Sequence, residues 1–104
     1  MYTIGVDLGQ RHDFSAIAVV ERRETRRAFL EPTFHSAAVR RLERVPLGTP
    51  YPKVVERVRA MALHPELRGR CTVAVDATGV GAPVVDLLRA AGLGCEIVAV
   101  TITG

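Results

Sequence analysis

Two apolar runs that each stop on an aspartate restrict the fold of this chain more than any other feature. The first, Tyr2-Thr-Ile-Gly-Val-Asp7, passes through a polar loop containing Gly9 into a second apolar run, Phe14-Ser-Ala-Ile-Ala-Val-Val-Glu21. Much later, Cys71-Thr-Val-Ala-Val-Asp76 leads into the turn Ala77-Thr-Gly-Val-Gly-Ala-Pro83. A hydrophobic strand that ends on a carboxylate and turns at a glycine holds that charge at the edge of a sheet, where it can meet a cation or a phosphate. Taken singly, each aspartate is equally well explained as a turn cap that accepts backbone N–H bonds.

The rest of the chain supplies the frame for those two ends. Residues 2 to 7 and 14 to 21 read as strands joined by a six-residue link, which suggests a hairpin. Arg22 through Thr25 is polar and fits a second turn, and Pro32 breaks or edges any strand in the mixed segment that follows. Between His35 and Val45, the spacing of Val39, Leu42 and Val45 would suit a helix, but the segment is short and rich in arginine. A third antiparallel strand within residues 26 to 45 is the reading that widens the sheet.

Pro46-Leu-Gly-Thr-Pro-Tyr-Pro52 is a rigid connector. After it, Val54, Val55, Val58, Met61 and Ala62 mark one face of a helix that Pro50 and Pro52 suit at its first turn and Pro65 terminates. A second helix opens near Pro83 with Val84, Leu87, Leu88 and Ala91 on its apolar face. Gly92 and Gly94 end it, and Glu96 to Ile102 supplies a last strand. Strand, helix and strand with short links indicate a parallel crossover. The predicted class is α/β, with an antiparallel hairpin region followed by parallel strands.

If the strands ending at Asp7 and Asp76 are parallel neighbours, their carboxylates converge. Like charges so placed are unfavourable unless a cation lies between them or one takes a proton. A hard divalent ion such as Mg²⁺ is held by one or two carboxylates plus waters and substrate phosphates, and such a site can promote displacement at phosphorus. Asp13 lies in the hairpin loop and reads as a turn residue, while Asp86 falls opposite the apolar face of its helix. His12 is close in sequence to Asp7 and is a candidate to position a phosphate or water; His35 and His64 have no partner at informative spacing. Thr78-Gly-Val-Gly81 can offer N–H groups to an anion, yet it lacks a Walker lysine and the G-x-G-x-x-G fingerprint. There is no G-x-S-x-G elbow for a nucleophilic serine.

Composition narrows the function classes. The 104 residues fit one domain with a modest core, and 48% apolar with 24% charged residues is ordinary for a folded protein. No apolar run approaches the roughly 20 residues of a membrane span. A secretory leader is not evident either, so a cytoplasmic location is expected. Cys71 and Cys95 border apolar runs and read as buried thiols. Thirteen of the fourteen cationic side chains are arginine, and seven of them fall within residues 22 to 44. Arginine suits phosphate contacts, so that region is a candidate nucleic-acid footprint, interrupted by Glu21, Glu24, Glu31 and Glu43.

Val6-Asp7-Leu-Gly-Gln-Arg-His-Asp13 through Val20, together with Val75-Asp76-Ala-Thr-Gly-Val-Gly81 and Val84 to Leu88, resembles the nuclease domain of large terminase subunits of tailed phages. That family lies in the ribonuclease-H-like superfamily. The resemblance implies a mixed sheet, an antiparallel hairpin region plus parallel strands with crossover helices. It further implies Mg²⁺ or Mn²⁺ held by Asp7 and Asp76, DNA as substrate, and phage packaging proteins as partners. Members of the family add a third carboxylate from a helix after the fifth strand, and that final helix is lacking here. Residues 1–104 are accordingly expected to be a single ribonuclease-H-like domain, either a fragment of a longer protein or a degenerate form. The resemblance does not extend to the ATP-driven motor of terminases, so it does not imply packaging by these residues alone.

Two other classes share features of the sequence. A non-catalytic DNA- or protein-binding module would explain the missing third acid. Actin-like kinases and ATPases use a similar Ile-Gly-Val-Asp-Leu-Gly start but need two lobes, and Holliday-junction resolvases are close in fold.

Overall fold

The computed structural model describes residues 1–9, 13–25, 29, 33–78 and 82–101. Five strands and two helices follow one another as β1 (Tyr2–Asp7), β2 (Ser15–Thr25), β3 (Phe34–Val45), α1 (Tyr51–Ala62), β4 (Cys71–Asp76), α2 (Ala82–Ala90) and β5 (Glu96–Val100). The strands form one sheet in the order β3-β2-β1-β4-β5. β1, β2 and β3 pair antiparallel, and β4 and β5 are added in parallel beside β1. The sequence-based α/β class and the mixed sheet are therefore observed.

Alternation along the strands determines what each face does, because successive side chains point to opposite sides. Ile4, Val6, Ile17, Val19, Val45, Val73 and Val75 are buried on the face that receives both helices. α1 contributes Val54, Val55, Val58, Met61 and Ala62, and α2 contributes Val84 and Leu88. Their three-and-four spacing is that of a helix with one apolar stripe. α1 starts at Pro50 in extended geometry with Pro52 in its first turn, and it closes before Pro65, the Leu63 N–H donating to the Arg59 carbonyl at 3.0 Å. α2 gives way to Gly92, whose φ of 72° is the left-handed conformation that glycine adopts without strain.

The opposite face carries Thr3, Gly5 and Asp7 from β1, Ala16 and Ala18 from β2, Thr72, Ala74 and Asp76 from β4, and Val98 and Val100 from β5, as the register dictates. No helix among the described residues packs on it. Val39 and Leu42 of β3 stand on this face and are exposed.

One expectation changes, and an ambiguous one is settled. Arg22 to Thr25 is not a turn; it continues β2, paired in register with Phe34 to Ala37 of β3. β1 begins only at Tyr2, opposite Glu21, so the β2–β3 ribbon runs on beyond the sheet. With no apolar layer against it, polarity there says nothing about chain direction. The third antiparallel strand expected within residues 26 to 45 is observed as β3, and the three-residue recurrence of Val39 and Leu42 within it comes from a β-bulge. Val19 pairs with Arg41 and Val20 with Val39, so Arg40 is the extra residue, and the bulge returns Val39 and Leu42 to one face. The last strand ends at Val100, and residues 102–104 lie outside the described part.

Candidate active site at the carboxyl edge of the sheet

β1 and β4 run in the same direction with Tyr2 opposite Cys71, and the register carries through to Asp7 opposite Asp76. The two aspartates are thus nearest cross-strand neighbours on one face, their Cα atoms about 4.8 Å apart as in any sheet. Asp7 is exposed and Asp76 half-buried. The floor before them is a shallow groove of about 330 Å³ lined by Gly5, Ala16, Ala18, Ala74 and Val100. Side chains this small leave the carboxylates accessible from the open face.

The turn after each aspartate is held by specific bonds. Asp76 Oδ1 accepts the Thr78 N–H at 2.9 Å. Bonding from Thr78 outweighs burial and holds the Asp76 carboxyl below the usual carboxylate range. The cap foreseen for Asp76 is real, and it keeps the group ionised and oriented. After Asp7, Leu8 is buried and Gly9 is clamped from two sides. Its N–H donates to Ser15 Oγ at 3.1 Å, and its carbonyl accepts the Tyr51 hydroxyl at 2.8 Å. A Cβ on Gly9 would lie 2.3 Å from the Asp13 carbonyl oxygen. Ser15 and Tyr51 are positioning residues that no sequence pattern singles out, because the second acts across 42 positions.

The arginines of residues 22 to 44 do not form one patch. Arg22 and Arg23 lie on the ribbon beyond Tyr2, at the end of the sheet opposite Asp7. Arg40 donates to Glu21 at 3.1 Å and Arg23 also pairs with Glu21. Arg41 reaches Glu43 at 3.5 Å, and Glu43 is further engaged by a two-pronged contact from Arg57 of α1 at 2.7 and 2.9 Å. Arg44 alone of the described members stands at the acidic edge, opposite Ala16, itself opposite Asp7. Arg26 and Arg27 lie outside the described residues, as do His12 and the Gly79–Gly81 part of the second glycine turn.

The other candidates separate from the aspartate pair. Asp13 is exposed and lines a different recess with Ser15, Thr49 and Tyr51. Asp86 is exposed on α2. His35 faces Glu24 on the ribbon at 3.6 Å, and His64 Nδ1 accepts the Glu66 N–H at 3.2 Å within a turn. Cys71 and Cys95 are distant in sequence yet neighbours in space. The Cys71 thiol is pushed up to about 11, first by burial and then by Cys95 beside it, and both are free thiols.

A hard divalent cation fits this donor set in part. Two carboxylate oxygen donors on an accessible edge are what Mg²⁺ or Mn²⁺ takes from a protein when waters and phosphate oxygens complete the shell. No cluster of three or more His, Cys, Asp or Glu side chains occurs among the described residues.

A five-stranded mixed sheet of this order, with helices on one face and an acid ending its first strand, is a ribonuclease-H-like fold. The structure of Thermus thermophilus RuvC shares it, with a TM-score of 0.58 over 97% of this chain and 62% of that one, at 20% sequence identity. The chain therefore spans less than two thirds of the length of RuvC. No family model matches the sequence, and no curated protein matches it either.

Proposed function

We propose that this chain is the catalytic domain of a metal-dependent nuclease that hydrolyses phosphodiester bonds of DNA. The observation that carries the reading is the register pairing of Asp7 with Asp76 at the carboxyl edge of two parallel strands. Asp7 and Asp76 would hold Mg²⁺ or Mn²⁺. The ion, when bound, lowers the pKa of water and neutralises charge on the phosphoryl oxygens. The protein's own contribution is orientation: Thr78 fixes Asp76, Ser15 and Tyr51 fix the turn behind Asp7, and the small-residue floor leaves room for a phosphate backbone. A third carboxylate would have to come from outside the described residues. No described helix is long and apolar enough to cross a membrane, and a cytoplasmic location is part of the same proposal.

The narrower reading, a terminase-type nuclease working beside phage packaging proteins, is supported by the strand-end sequences around Asp7 and Asp76. The likeness to RuvC supports the fold on which that reading depends.

The purified protein is expected to cut plasmid DNA when Mn²⁺ is supplied, with Asp7→Asn and Asp76→Asn each slower by about two orders of magnitude or more. Full activity in both variants overturns the proposal. The small donor set favours a second reading, a non-catalytic DNA- or protein-binding module. Calorimetry separates the two: Mn²⁺ binding heat that vanishes in Asp7→Asn supports the enzyme, and no binding up to millimolar ion supports the module.

A further inference from the structure

Arg44 differs from the arginines around it. Arg40 and Arg41, its neighbours on β3, are each neutralised by a glutamate, whereas Arg44 pairs with no carboxylate among the described residues. Its guanidinium instead stacks over the ring of Phe14, 4.8 Å from the centroid. Phe14 is 46% exposed, so the stack stands on the surface rather than in the core.

Its place in the sheet gives the stack a direction. Asp76 pairs with Asp7, Asp7 with Ala16, and Ala16 with Arg44, one row of cross-strand neighbours on the open face. Two strand spacings separate the Cα atoms of Asp7 and Arg44, about 10 Å. Between them in that row stands Ala16, at the rim of the groove that Asp7 and Asp76 share. A chain of phosphates crossing the acidic edge toward β3 would meet the Arg44 guanidinium, which no described carboxylate neutralises, and beside it an exposed aromatic face.

We infer that Phe14 and Arg44 form a subsite for an unstacked nucleotide next to the one at Asp7 and Asp76, the ring carrying the base and the guanidinium the phosphate. Arginine is the cation suited to this double task, since its planar fork matches phosphate oxygens and also stacks on aromatic rings. Bases stack on aromatic side chains whatever their identity, so the subsite fixes the path of a single strand without reading its sequence. Placing a flank of the strand here orients the adjoining phosphodiester at the carboxylates. Phe14 and Arg44 are positioning residues, and the inference rests on the nuclease reading for the identity of the ligand.

Fluorescence anisotropy with a labelled single-stranded oligonucleotide of about 20 nucleotides tests it, run without Mn²⁺ so that binding is measured apart from cutting. Phe14→Leu and Arg44→Gln are each expected to bind about tenfold more weakly, with thermal midpoints close to that of the parent because both side chains are exposed. Arg44→Gln should lower the slope of log affinity against log salt by about one, while Phe14→Leu leaves that slope unchanged. Phe14→Trp should restore affinity, and Arg44→Lys should restore the salt slope but not the full affinity. Variants that bind like the parent, a parent that binds no oligonucleotide, or losses that only track thermal midpoint each overturn the subsite. If the parent fails to cut with Mn²⁺ yet the binding pattern appears, the subsite stands and the nuclease reading falls. Normal cutting with unaltered binding in both variants has the opposite meaning.

Discussion

A single methyl group at Gly9 is enough to disturb the site. The carbonyl oxygens of Asp13 and Phe14 stand 2.3 and 2.5 Å from where that group would be, and both belong to backbone that leads directly into β2. They have no flexible side chain to move aside, so the loop must shift, at a cost of about 1–3 kcal/mol for overpacking. Gly9→Ala is therefore expected to lower the free energy of unfolding measured in urea by that amount, moving the midpoint down, and to weaken Mn²⁺-dependent cutting, since the turn that presents Asp7 moves with the loop. An unchanged unfolding midpoint would show that the close approach is unimportant. The requirement for glycine here was legible only as a turn signal. Its physical cause, the return of the chain against its own backbone, was not.

Between elements, the bond network around Glu21 ties the end of β1 to β2 and the bulge of β3. Arg40 and then Arg23 hold the Glu21 carboxyl down to about 2, against burial, which raises it. A carboxylate whose folded value lies below its ordinary value of 4.5 contributes stability that is fully present above pH 4.5 and is lost as the pH falls toward 2. Thermal midpoints measured from pH 6 down to pH 2 should consequently fall more steeply for the parent than for Glu21→Gln, and parallel curves would refute the linkage. The same network explains why the arginine-rich segment misleads. Arg23 and Arg40 are spent on Glu21 and Arg41 on Glu43, at the helix-facing side of the ribbon, an arrangement that depends on one bulge between Val19 and Val20.

For the assembled sheet, ligand linkage offers the broadest check on the proposed metal site. An ion that binds the folded protein and not the unfolded chain stabilises it by about 2.7 kcal/mol at a hundred times its dissociation constant, which for a domain of this size shifts the midpoint by roughly 10 °C. Mn²⁺ should raise the thermal midpoint of the parent, a chelator should reverse the rise, and Asp7→Asn and Asp76→Asn should show none. A rise of equal size in both variants would place the ion elsewhere.

Residue order alone established the strands ending at Asp7 and Asp76, the two amphipathic helices and the α/β class, because those elements bury one face each and burial imposes a period that can be read along the chain. It also carried the suspicion that the two aspartates belong together. What required the fold was every relation without a period: the register that sets Asp7 beside Asp76, the clamp from Tyr51 onto Gly9, the meeting of Cys71 with Cys95, and the dispersal of the arginines to opposite ends of the sheet. Such contacts join residues far apart in sequence, and their partners are chosen by strand order and register, which local propensity does not encode.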